Sequence, residues 1–405
     1  MDKERCDMAV APHPNNDVSS LTWAEIDLCA LAHNYQELRR VTSPSAVMMA
    51  VVKADGYGHG AAQVARVALE NGAELLAVAR MGEAVQLRES GISAPILLFG
   101  HSLPSYVDIL AAKDIRAALN SLEGARSISA EAVRRKKNIK VHIKIDTGMG
   151  RLGLLADEIA IQKDSGEQFK RAVNDVLAIS ALPGIEVEGI FTHFANADSR
   201  DKAHATTQLS CFTRMLETLE KHSFRVRYRH AANSAAIIEM PESHLDLVRP
   251  GIAQYGLWPS DEIDRQKIDL KPVMSLKSKV IHVKNVGADF AVSYGSTHVT
   301  RSPTRIATIP VGYADGYDRI LSSKGHMLIK GVRAPIIGRV CMDLTMIDVG
   351  HVPGVCLEDE VVLLGSQGKE TISADEIAER VGTINYEIVS SLTSRVPKVY
   401  IREKL

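Results

Sequence analysis

Little in this chain of 405 residues is extreme, and what it lacks excludes several classes of protein. The chain has 48 lysine and arginine residues and 49 aspartate and glutamate residues. It therefore lacks the excess of positive charge that is typical of proteins that bind nucleic acid or a membrane surface. No apolar run approaches the roughly 18 residues of a transmembrane helix. With 45% hydrophobic and 24% charged residues, the composition is that of a globular protein.

The chain has only five cysteines, and they are scattered without the spacing of a metal site or a disulfide framework. Their odd number suits the reducing cytoplasm, which is where we expect the protein. Residues 1–20 lack the apolar stretch of a secretory signal, so we interpret them as a mobile N-terminal extension. No metal is expected.

A chain of this length predicts two domains. Between about residues 47 and 250, short β-rich runs alternate with helical patterns such as 61–70, 82–89 and 202–222. Eight strand-helix units predict an α/β fold with a closed (β/α)8 TIM-type barrel, and an open doubly wound sheet is the alternative. The predicted strands are 47–52, 75–79, 96–99, 115–119, 141–145, 187–191, 226–230 and 245–248.

A barrel of this type carries its chemistry at the C-terminal ends of its strands. Polar residues follow the predicted strands there repeatedly. They are Lys53, the segment 146–151, His193, Asn233 with Ser234, and the segment 249–252. We give this regularity more weight than any single motif.

Beyond Pro272 the pattern changes to short β-rich runs separated by glycine or proline, which predicts a mainly β second domain. We place the barrel domain at 21–265 and the β domain at 266–405. Ser373 and Glu376 have capping-box spacing, which predicts a helix start. Other elements expected are strands within 273–286 and at 306–309, 327–329, 336–340, 345–349, 361–363 and 399–401, and a helix over 385–394.

Lys53 ends an apolar run and is followed by a glycine-rich loop, Ala54-Asp55-Gly56-Tyr57-Gly58-His59-Gly60. Burial at a strand end lowers the pKa of a lysine and frees its amine as a nucleophile. Such an amine suits a Schiff base to pyridoxal phosphate. The alternative is a strand-end lysine that reaches water. The run closely resembles the cofactor-lysine signature of alanine racemases, which are pyridoxal-phosphate enzymes built on a barrel.

Racemisation needs one proton removed from Cα on one face and another delivered on the other, which two opposed acid-base groups achieve. Lys53 is the first candidate. Val292-Ser293-Tyr294-Gly295-Ser296-Thr297 resembles the family's catalytic-tyrosine motif, so the resemblance makes Tyr294 the second. His193 matches the histidine that contacts this tyrosine. The alternatives are a strand tyrosine with a wet hydroxyl and a hydrogen-bonded core histidine.

Arg249, within Val248-Arg249-Pro250-Gly251-Ile252, matches the family arginine that faces the pyridine nitrogen of the cofactor. Guanidinium cannot accept a hydrogen bond, so it leaves that nitrogen unprotonated and weakens the cofactor as an electron sink. The alternative is an ordinary arginine at a strand end. For the cofactor and its phosphate, the expected contacts are Tyr57, Asn233, Ser234, Gly251, Ile252 and Tyr386. Ser234 could equally be a helix N-cap and Gly251 a turn glycine.

The block Lys144-Ile145-Asp146-Thr147-Gly148-Met149-Gly150-Arg151 matches a further family segment. The resemblance implies that Arg151 contacts the cofactor and the substrate carboxylate side, and that Lys144 can carry a carbamate (N6-carboxylysine). The alternative for Lys144 is an unmodified, paired lysine. In the β domain the resemblance implies substrate contacts at Tyr313 and Met342 and an entrance residue at Asp343, which could equally be a turn residue.

The resemblance also implies a head-to-tail homodimer with shared active sites, in which Tyr294 reaches the barrel of the partner. It implies that the early strand 23–28 joins the β domain. The main hypothesis is interconversion of L- and D-alanine, with D-alanine supplied for peptidoglycan. The alternatives are a serine or broad-specificity amino-acid racemase and a non-catalytic pyridoxal-phosphate barrel protein. A decarboxylase disagrees with Arg249, because its ring-nitrogen partner should be acidic.

Overall fold

The computed structural model describes residues 20–156 and 166–402. The extension expected over residues 1–20 therefore lies, apart from Ser20, outside the described residues. The described chain divides into two compact units. The barrel unit contains Ala32–Gly56 and Ala61–Leu270, and the β unit contains the described parts of Met1–Leu31 and Lys271–Leu405 together with Tyr57–Gly60.

Among its described residues, the first half of the chain alternates strands with helices. Its elements in chain order are β1 (Thr22–Asp27), α1 (Leu28–Val41), β2 (Val47–Val51), α2 (Ala61–Glu70), β3 (Ala73–Val78), α3 (Met81–Glu89), β4 (Ile96–Leu98), α4 (Val107–Ala112), β5 (Ile115–Leu119), α5 (Leu122–Arg135), β6 (Ile139–Asp146), β7 (Leu154–Leu155), α6 (Glu167–Ser180), β8 (Ile185–Phe191), α7 (Ala203–Lys221), β9 (Tyr228–His230), α8 (Ser234–Glu239) and β10 (Leu247–Val248).

The second half is mainly β, with two short helices near its end. Its elements are β11 (Met274–Lys279), β12 (His282–Val286), β13 (Ala291–Val292), β14 (His298–Val299), β15 (Thr304–Ile309), β16 (His326–Ile329), β17 (Val332–Pro335), β18 (Thr345–Asp348), β19 (Glu360–Gln367), β20 (Glu370–Ile372), α9 (Ala374–Val381), α10 (Asn385–Ser390) and β21 (Lys398–Ile401).

Eight parallel strands form the barrel in the order β10-β2-β3-β4-β5-β6-β8-β9. Backbone bonds from Asp246 N to Arg229 O and from Arg249 N to Ala232 O connect the regions of β10 and β9, so the ring is nearly closed. The order follows the sequence without the reversal of a doubly wound sheet. The predicted (β/α)8 class is therefore confirmed, and the open-sheet alternative is wrong.

The barrel strands are long apolar runs because both of their faces are covered. Met48, Met49 and Ala50 of β2 have no exposed surface, and neither have Ile96 and Leu97 of β4. Since all eight strands are parallel, their C-terminal ends lie at one edge of the barrel. The residues that follow these ends are therefore carried by one rigid wall.

In the β unit the main sheet has the order β17-β16-β19-β11-β1-β21, with β20 paired to β19. The early strand β1 pairs antiparallel with β11 and parallel with β21. Strands β12, β15 and β18 form a second sheet. Strands β13 and β14 form a separate hairpin whose tip, residues 293–297, carries Tyr294.

The mainly β second domain is confirmed, as is the helix start at Ser373, whose hydroxyl accepts from Glu376 N at 3.0 Å. The strand expected over 336–340 is wrong. The nearest strand, β17, ends just before this segment at Pro335. Beyond it only Ile336 is paired, through an isolated bridge to Ile347. Gly338 has a φ of +71°, and a Cβ added to it would lie 2.7 Å from the Ser293 Cβ, so the chain turns away beneath the hairpin tip.

The helix expected over 385–394 ends four residues earlier, at Ser390. Tertiary hydrogen bonds explain the difference. Thr393 N donates to Asp315 O at 3.1 Å, and its hydroxyl donates to Ala314 O at 2.9 Å. These bonds take the backbone out of the helical path.

Candidate active site

Lys53 opens a left-handed turn directly after β2. Ala54, Asp55 and Gly56 have φ angles of +52°, +51° and +63°, and the Gly56 N–H donates to Val52 O at 2.9 Å. Each L-residue costs about 1–2 kcal/mol in this conformation. Strain of this kind persists only where the surroundings hold it, and it clusters at functional sites.

The carboxylate of Glu83, in the first turn of α3, accepts three backbone hydrogen bonds at this point. Oε1 accepts from Ala54 N at 2.6 Å, and Oε2 accepts from Ala79 N and Arg80 N, both at 2.8 Å. The bonds at Oε2 satisfy free N–H groups at the helix start. The bond at Oε1 joins that helix to the left-handed turn. Sequence reasoning missed Glu83, because nothing local connects it to residue 54.

The Lys53 amine is half-buried and lies in a mainly positive field. Burial lowers its pKa most, the Arg151 guanidinium lowers it further, and the charge of Glu83 opposes both. Lys53 in turn lowers the pKa values of Lys144 and His193. These residues therefore interact as one cluster at the C-terminal edge of the barrel.

Arg249, which follows β10, is buried and held by four acceptors. Nη1 donates to His230 Nδ1 at 2.9 Å, and Nη2 donates to Thr192 O at 2.9 Å, to Ala231 O at 2.8 Å and to His193 Nδ1 at 3.3 Å. Burial lowers the pKa of Arg249 to about 9, which leaves the group charged near neutrality. All of its described side-chain bonds run through Nη1 and Nη2.

His193 is kept neutral, since burial and then Arg249 and Arg151 hold its pKa well below the usual range. Its backbone carbonyl accepts from Gln208 Nε2 at 3.1 Å. The same amide nitrogen donates to the hydroxyl of Thr147 at 3.4 Å. Gln208, on α7, therefore ties the loop of His193 to the loop of Arg151. The predicted contact of His193 with Tyr294 stays a prediction.

A relay of buried polar groups runs from Arg249 through the barrel interior. His230 Nε2 lies 2.8 Å from His142 Nδ1, and His142 Nε2 lies 3.5 Å from Glu188 Oε2. Arg116 completes it, with Nε 2.9 Å from Glu188. Polar residues inside otherwise apolar strands are the sequence signal that could have revealed it.

The proton positions of the relay follow from Arg249, which can only donate. His230 Nδ1 must therefore accept. Burial keeps the pKa values of His230 and His142 below normal, so both rings are neutral. Each ring then accepts at Nδ1 and donates at Nε2, and the relay ends on the Glu188 carboxylate.

Arg151 sits on a loop organised by Asp146, the last residue of β6. One oxygen of Asp146 accepts from the N–H groups of Gly148, Met149 and Gly150 at 2.9–3.1 Å, and the other accepts from Arg151 N at 3.0 Å. The arginine side chain is exposed. The carboxylate therefore fixes the backbone from which Arg151 extends.

Lys144 points into the barrel from β6 and is almost fully buried. Burial, Arg151 and Arg249 lower its pKa to about 8. Its ammonium also lies 5.8 Å from the centre of the Phe191 ring. A lysine amine that is partly neutral near physiological pH is one that can react with carbon dioxide.

Among the residues expected near a phosphate, the structure links Ser234 to Gly251. The Ser234 hydroxyl oxygen accepts from Gly251 N at 2.8 Å and from Ala253 N at 3.2 Å, so its own hydrogen can be donated to another group. Ile252 is buried and begins a short 3-10 helix. The N-cap of α8 is Asn233, which accepts from Ala236 N, and not Ser234.

The β unit carries the remaining predicted residues in three places. The rings of Tyr57 and Tyr386 contact each other, with centroids 6.2 Å apart, and burial raises the pKa of Tyr57. Tyr313 N donates to Cys341 O at 3.0 Å, which brings Tyr313 beside the segment of Met342 and Asp343. Both turn-forming and entrance roles stay open for Asp343, whose carboxylate is 2.7 Å from Arg395.

Tyr294 stands apart from the other predicted residues of the β unit. It lies at the tip of the β13-β14 hairpin, and 73% of its surface is exposed. Phe290 and Val299, on the same hairpin, are 38% and 47% exposed. The described part of one chain therefore leaves this tyrosine facing solvent.

Within residues 20–156 and 166–402 no group of three or more histidine, cysteine, aspartate or glutamate side chains could hold a metal ion. No helix within them is long and apolar enough to cross a membrane.

Comparison with known proteins covers almost the whole chain. Residues 26–259 match the family "Alanine racemase, N-terminal domain" and residues 273–400 match "Alanine racemase, C-terminal domain". The alanine racemase of Desulfosudis oleivorans is 51% identical over 385 residues, covering 95% of this chain and 97% of the relative.

Solved structures agree with these matches. An alanine racemase from Clostridium difficile 630 aligns with a TM-score of 0.88 at 36% identity, over 95% of this chain and 96% of that one. The alanine racemase of Bacillus anthracis with bound L-Ala-P aligns with a TM-score of 0.85 at 37% identity, over 96% of both chains. The chain therefore belongs to the alanine racemase family.

Proposed function

We propose that this protein interconverts L-alanine and D-alanine with pyridoxal phosphate bound at Lys53. The observation that carries the proposal is the cluster at the barrel edge, where a lysine with a lowered pKa shares its surroundings with Arg151, His193 and Arg249. Family membership supports the reaction, since the relatives and structural neighbours above are alanine racemases.

The residues present fit this cofactor. Lys53 offers an amine whose charge burial disfavours. Ser234 has a hydroxyl hydrogen to donate to a phosphate oxygen, beside the backbone of Gly251 and Ile252. When bound, pyridoxal phosphate supplies an electron sink that acidifies the Cα–H bond of an amino acid. Arg249 would keep that sink weak, since its guanidinium donates and cannot protonate a ring nitrogen.

Lys53 would take or return a proton on one face of the substrate Cα. Its lowered pKa increases the fraction of neutral amine that can act as a base near neutrality. The opposite face needs a second group. We assign that role to Tyr294, on the resemblance of its motif and on its position at an exposed hairpin tip.

A second copy of the chain would bring Tyr294 to Lys53. Within one chain 73% of the surface of Tyr294 is exposed, so the phenol lacks the enclosed, water-free site that a proton-transfer group needs. Exposed apolar side chains beside it favour a protein contact, since patches of this kind mark interaction surfaces. We therefore propose a homodimer with two shared sites, in which Tyr313, Met342 and Asp343 would meet the substrate.

Alanine is the proposed substrate, and its D-isomer would supply peptidoglycan synthesis. A serine or broad-specificity racemase is the closest alternative, and relative rates on alanine and serine distinguish them. We also propose a cytoplasmic location, because the five cysteines are scattered along the sequence without the spacing of a disulfide framework.

The direct test is borohydride reduction of the purified protein followed by peptide mapping, together with an optical assay of alanine racemisation. We expect the reduced cofactor on Lys53, and loss of both the bound-cofactor absorbance and racemisation in Lys53→Ala. Lys113→Ala, at the end of α4, is the matched control and should retain both. A reduced adduct on another lysine, or a loaded protein that leaves both alanine isomers unchanged, contradicts the proposal.

A further inference from the structure

The left-handed turn that begins at Lys53 is connected to α3 by one side chain. Glu83 accepts from Ala54 N at 2.6 Å with one carboxylate oxygen and from Ala79 N and Arg80 N at 2.8 Å with the other. Three short bonds to one carboxylate are stronger than bonds to a neutral acceptor. The residue directly after Lys53 is therefore tied to a helix that packs on the barrel.

The turn requires such support. Ala54 and Asp55 are non-glycine residues with positive φ, a conformation in which the Cβ of an L-residue crowds the following carbonyl oxygen. The Gly56 N–H to Val52 O bond closes the turn from within. Asp55 accepts from Ala61 N at 2.9 Å, which anchors the far end to α2. Glu83 supplies the anchor at the near end, beside the amine-bearing residue.

Glu83 also places a negative charge in the environment of Lys53. The described groups that act on Lys53 or feel its charge include Arg151, Lys144, His193 and Glu83. Arg151 is a cation, His193 is neutral, and Lys144 is a cation only while its amine is unmodified and protonated. Burial and Arg151 lower the pKa of Lys53, and Glu83 raises it. The Glu83 carboxylate thus holds the backbone next to Lys53 and also partly offsets the lowering of the Lys53 pKa.

We propose that Glu83 is a positioning residue for Lys53, which fixes the left-handed turn against α3 and sets the electrostatic environment of the amine. The proposal rests on the proposed function, in which Lys53 receives the cofactor. It assigns no contact between Glu83 and substrate or cofactor. Its consequence is that the reactivity of Lys53 depends on a residue thirty positions away in the chain.

The test measures Lys53 itself, in the full-length chain freed of cofactor. Reductive methylation with formaldehyde and a hydride donor is followed at Lys53 by peptide mass spectrometry over a range of pH, because only the neutral amine reacts. Amide hydrogen exchange of the peptide 52–57 is measured in parallel. Glu83→Gln keeps the side-chain length but removes the charge and one acceptor oxygen. Glu83→Asp keeps the charge with a shorter reach.

The midpoint is the pH at which methylation of Lys53 reaches half of its maximal rate. In Glu83→Gln we expect this midpoint to fall by about 0.5 pH unit, because a nearby negative charge is lost. We expect the turn peptide to exchange about tenfold faster, which corresponds to about 1.4 kcal/mol. In Glu83→Asp the peptide should also exchange faster, while the midpoint stays nearer that of the parent. Glu89→Gln, at the exposed end of the same helix, should change neither quantity.

An unchanged Lys53 midpoint in Glu83→Gln overturns the proposal, even if the turn peptide exchanges faster, because Glu83 would then support the backbone alone. A midpoint that rises also overturns it, because the loss of a nearby negative charge should lower the pKa of Lys53. Failure of the proposed function is recognised separately, by a parent protein in which borohydride leaves no cofactor on Lys53.

Discussion

The guanidinium of Arg249 donates from Nη1 to Nδ1 of His230 across 2.9 Å in the barrel interior. Because an arginine cannot accept, this contact fixes the tautomer of His230 and, through it, that of His142. The relay ends on Glu188, so the negative charge that balances a buried arginine lies two imidazole rings away. The orientation of the Arg249 side chain is thus fixed by His230 and His142, which are residues of the barrel strands.

Removing the charge at the end of this relay is expected to destabilise the protein. In Glu188→Gln the buried Arg116 loses the carboxylate that accepts from its Nε but keeps Asp114, 2.7 Å from its Nη1, so we expect a cost of about 1–3 kcal/mol. Denaturant unfolding measures the loss. Glu186→Gln, an exposed position on the same strand, is the control and should stay within about 0.5 kcal/mol.

The same pair predicts a dependence of stability on pH. Burial raises the pKa of Glu188, but hydrogen bonds from His142 and Arg116 outweigh it and lower the pKa to about 2. The pKa of a glutamate in the unfolded chain is about 4.3, so this contribution to stability is present above that pH and is lost as the pH falls towards about 2. The stability difference between the parent and Glu188→Gln should therefore shrink on acidification, and a difference that grows would contradict it.

Tyr294→Phe is expected to impair proton abstraction from one alanine enantiomer far more than from the other. Two acid-base groups on opposite faces divide the two directions of the reaction between them. Loss of one such group typically costs about a hundredfold or more. Solvent-deuterium incorporation at Cα from each isomer measures this directly. Equal slowing for both isomers, or none, argues against Tyr294. Tyr106→Phe, outside the candidate site, serves as the matched control.

Lys144 is expected to form a carbamate. Burial together with Arg151 and Arg249 brings its pKa to about 8, so the neutral amine that reacts with carbon dioxide is substantial above that pH and falls about tenfold per unit below it. A ¹³C-bicarbonate NMR experiment should show a carbamate signal that weakens as the pH falls. Lys144→Arg should abolish the signal, whereas Lys140→Arg, on the same strand, should retain it.

Two glycines in the loop of Arg151 should respond differently to alanine. A Cβ at Gly150 meets nothing within 4 Å, so Gly150→Ala should cost only about 1 kcal/mol for its positive φ. A Cβ at Gly153 would lie 2.7 Å from Asp146 N at a φ of +128°, and Gly153→Ala should cost about 3 kcal/mol or more. Unfolding in denaturant compares the two. Equal losses of unfolding free energy in the two variants would contradict this prediction, because the loop would then rearrange to accept the Cβ at residue 153.

The amino-acid order was sufficient to predict the barrel. Buried strands such as β4 are short apolar runs between helical patterns, and that periodicity is a local property of the chain. The placement of Lys53, Asp146 and Arg249 at strand ends followed from the same pattern, because parallel strands share one C-terminal edge. Motifs within a few residues of each other carried the family resemblance.

Contacts between distant segments could not be predicted in this way. Glu83 meets Ala54, and His230 meets His142, because neighbouring helices and strands close around the barrel, and hydrogen bonds between them leave no periodic trace in the sequence. The same reason explains the wrong strand at 336–340, where the packing of Gly338 beneath the Tyr294 hairpin overrides a β-like composition. Local pattern thus specified which elements form, while the close approach of remote backbones determined how the reactive side chains are held.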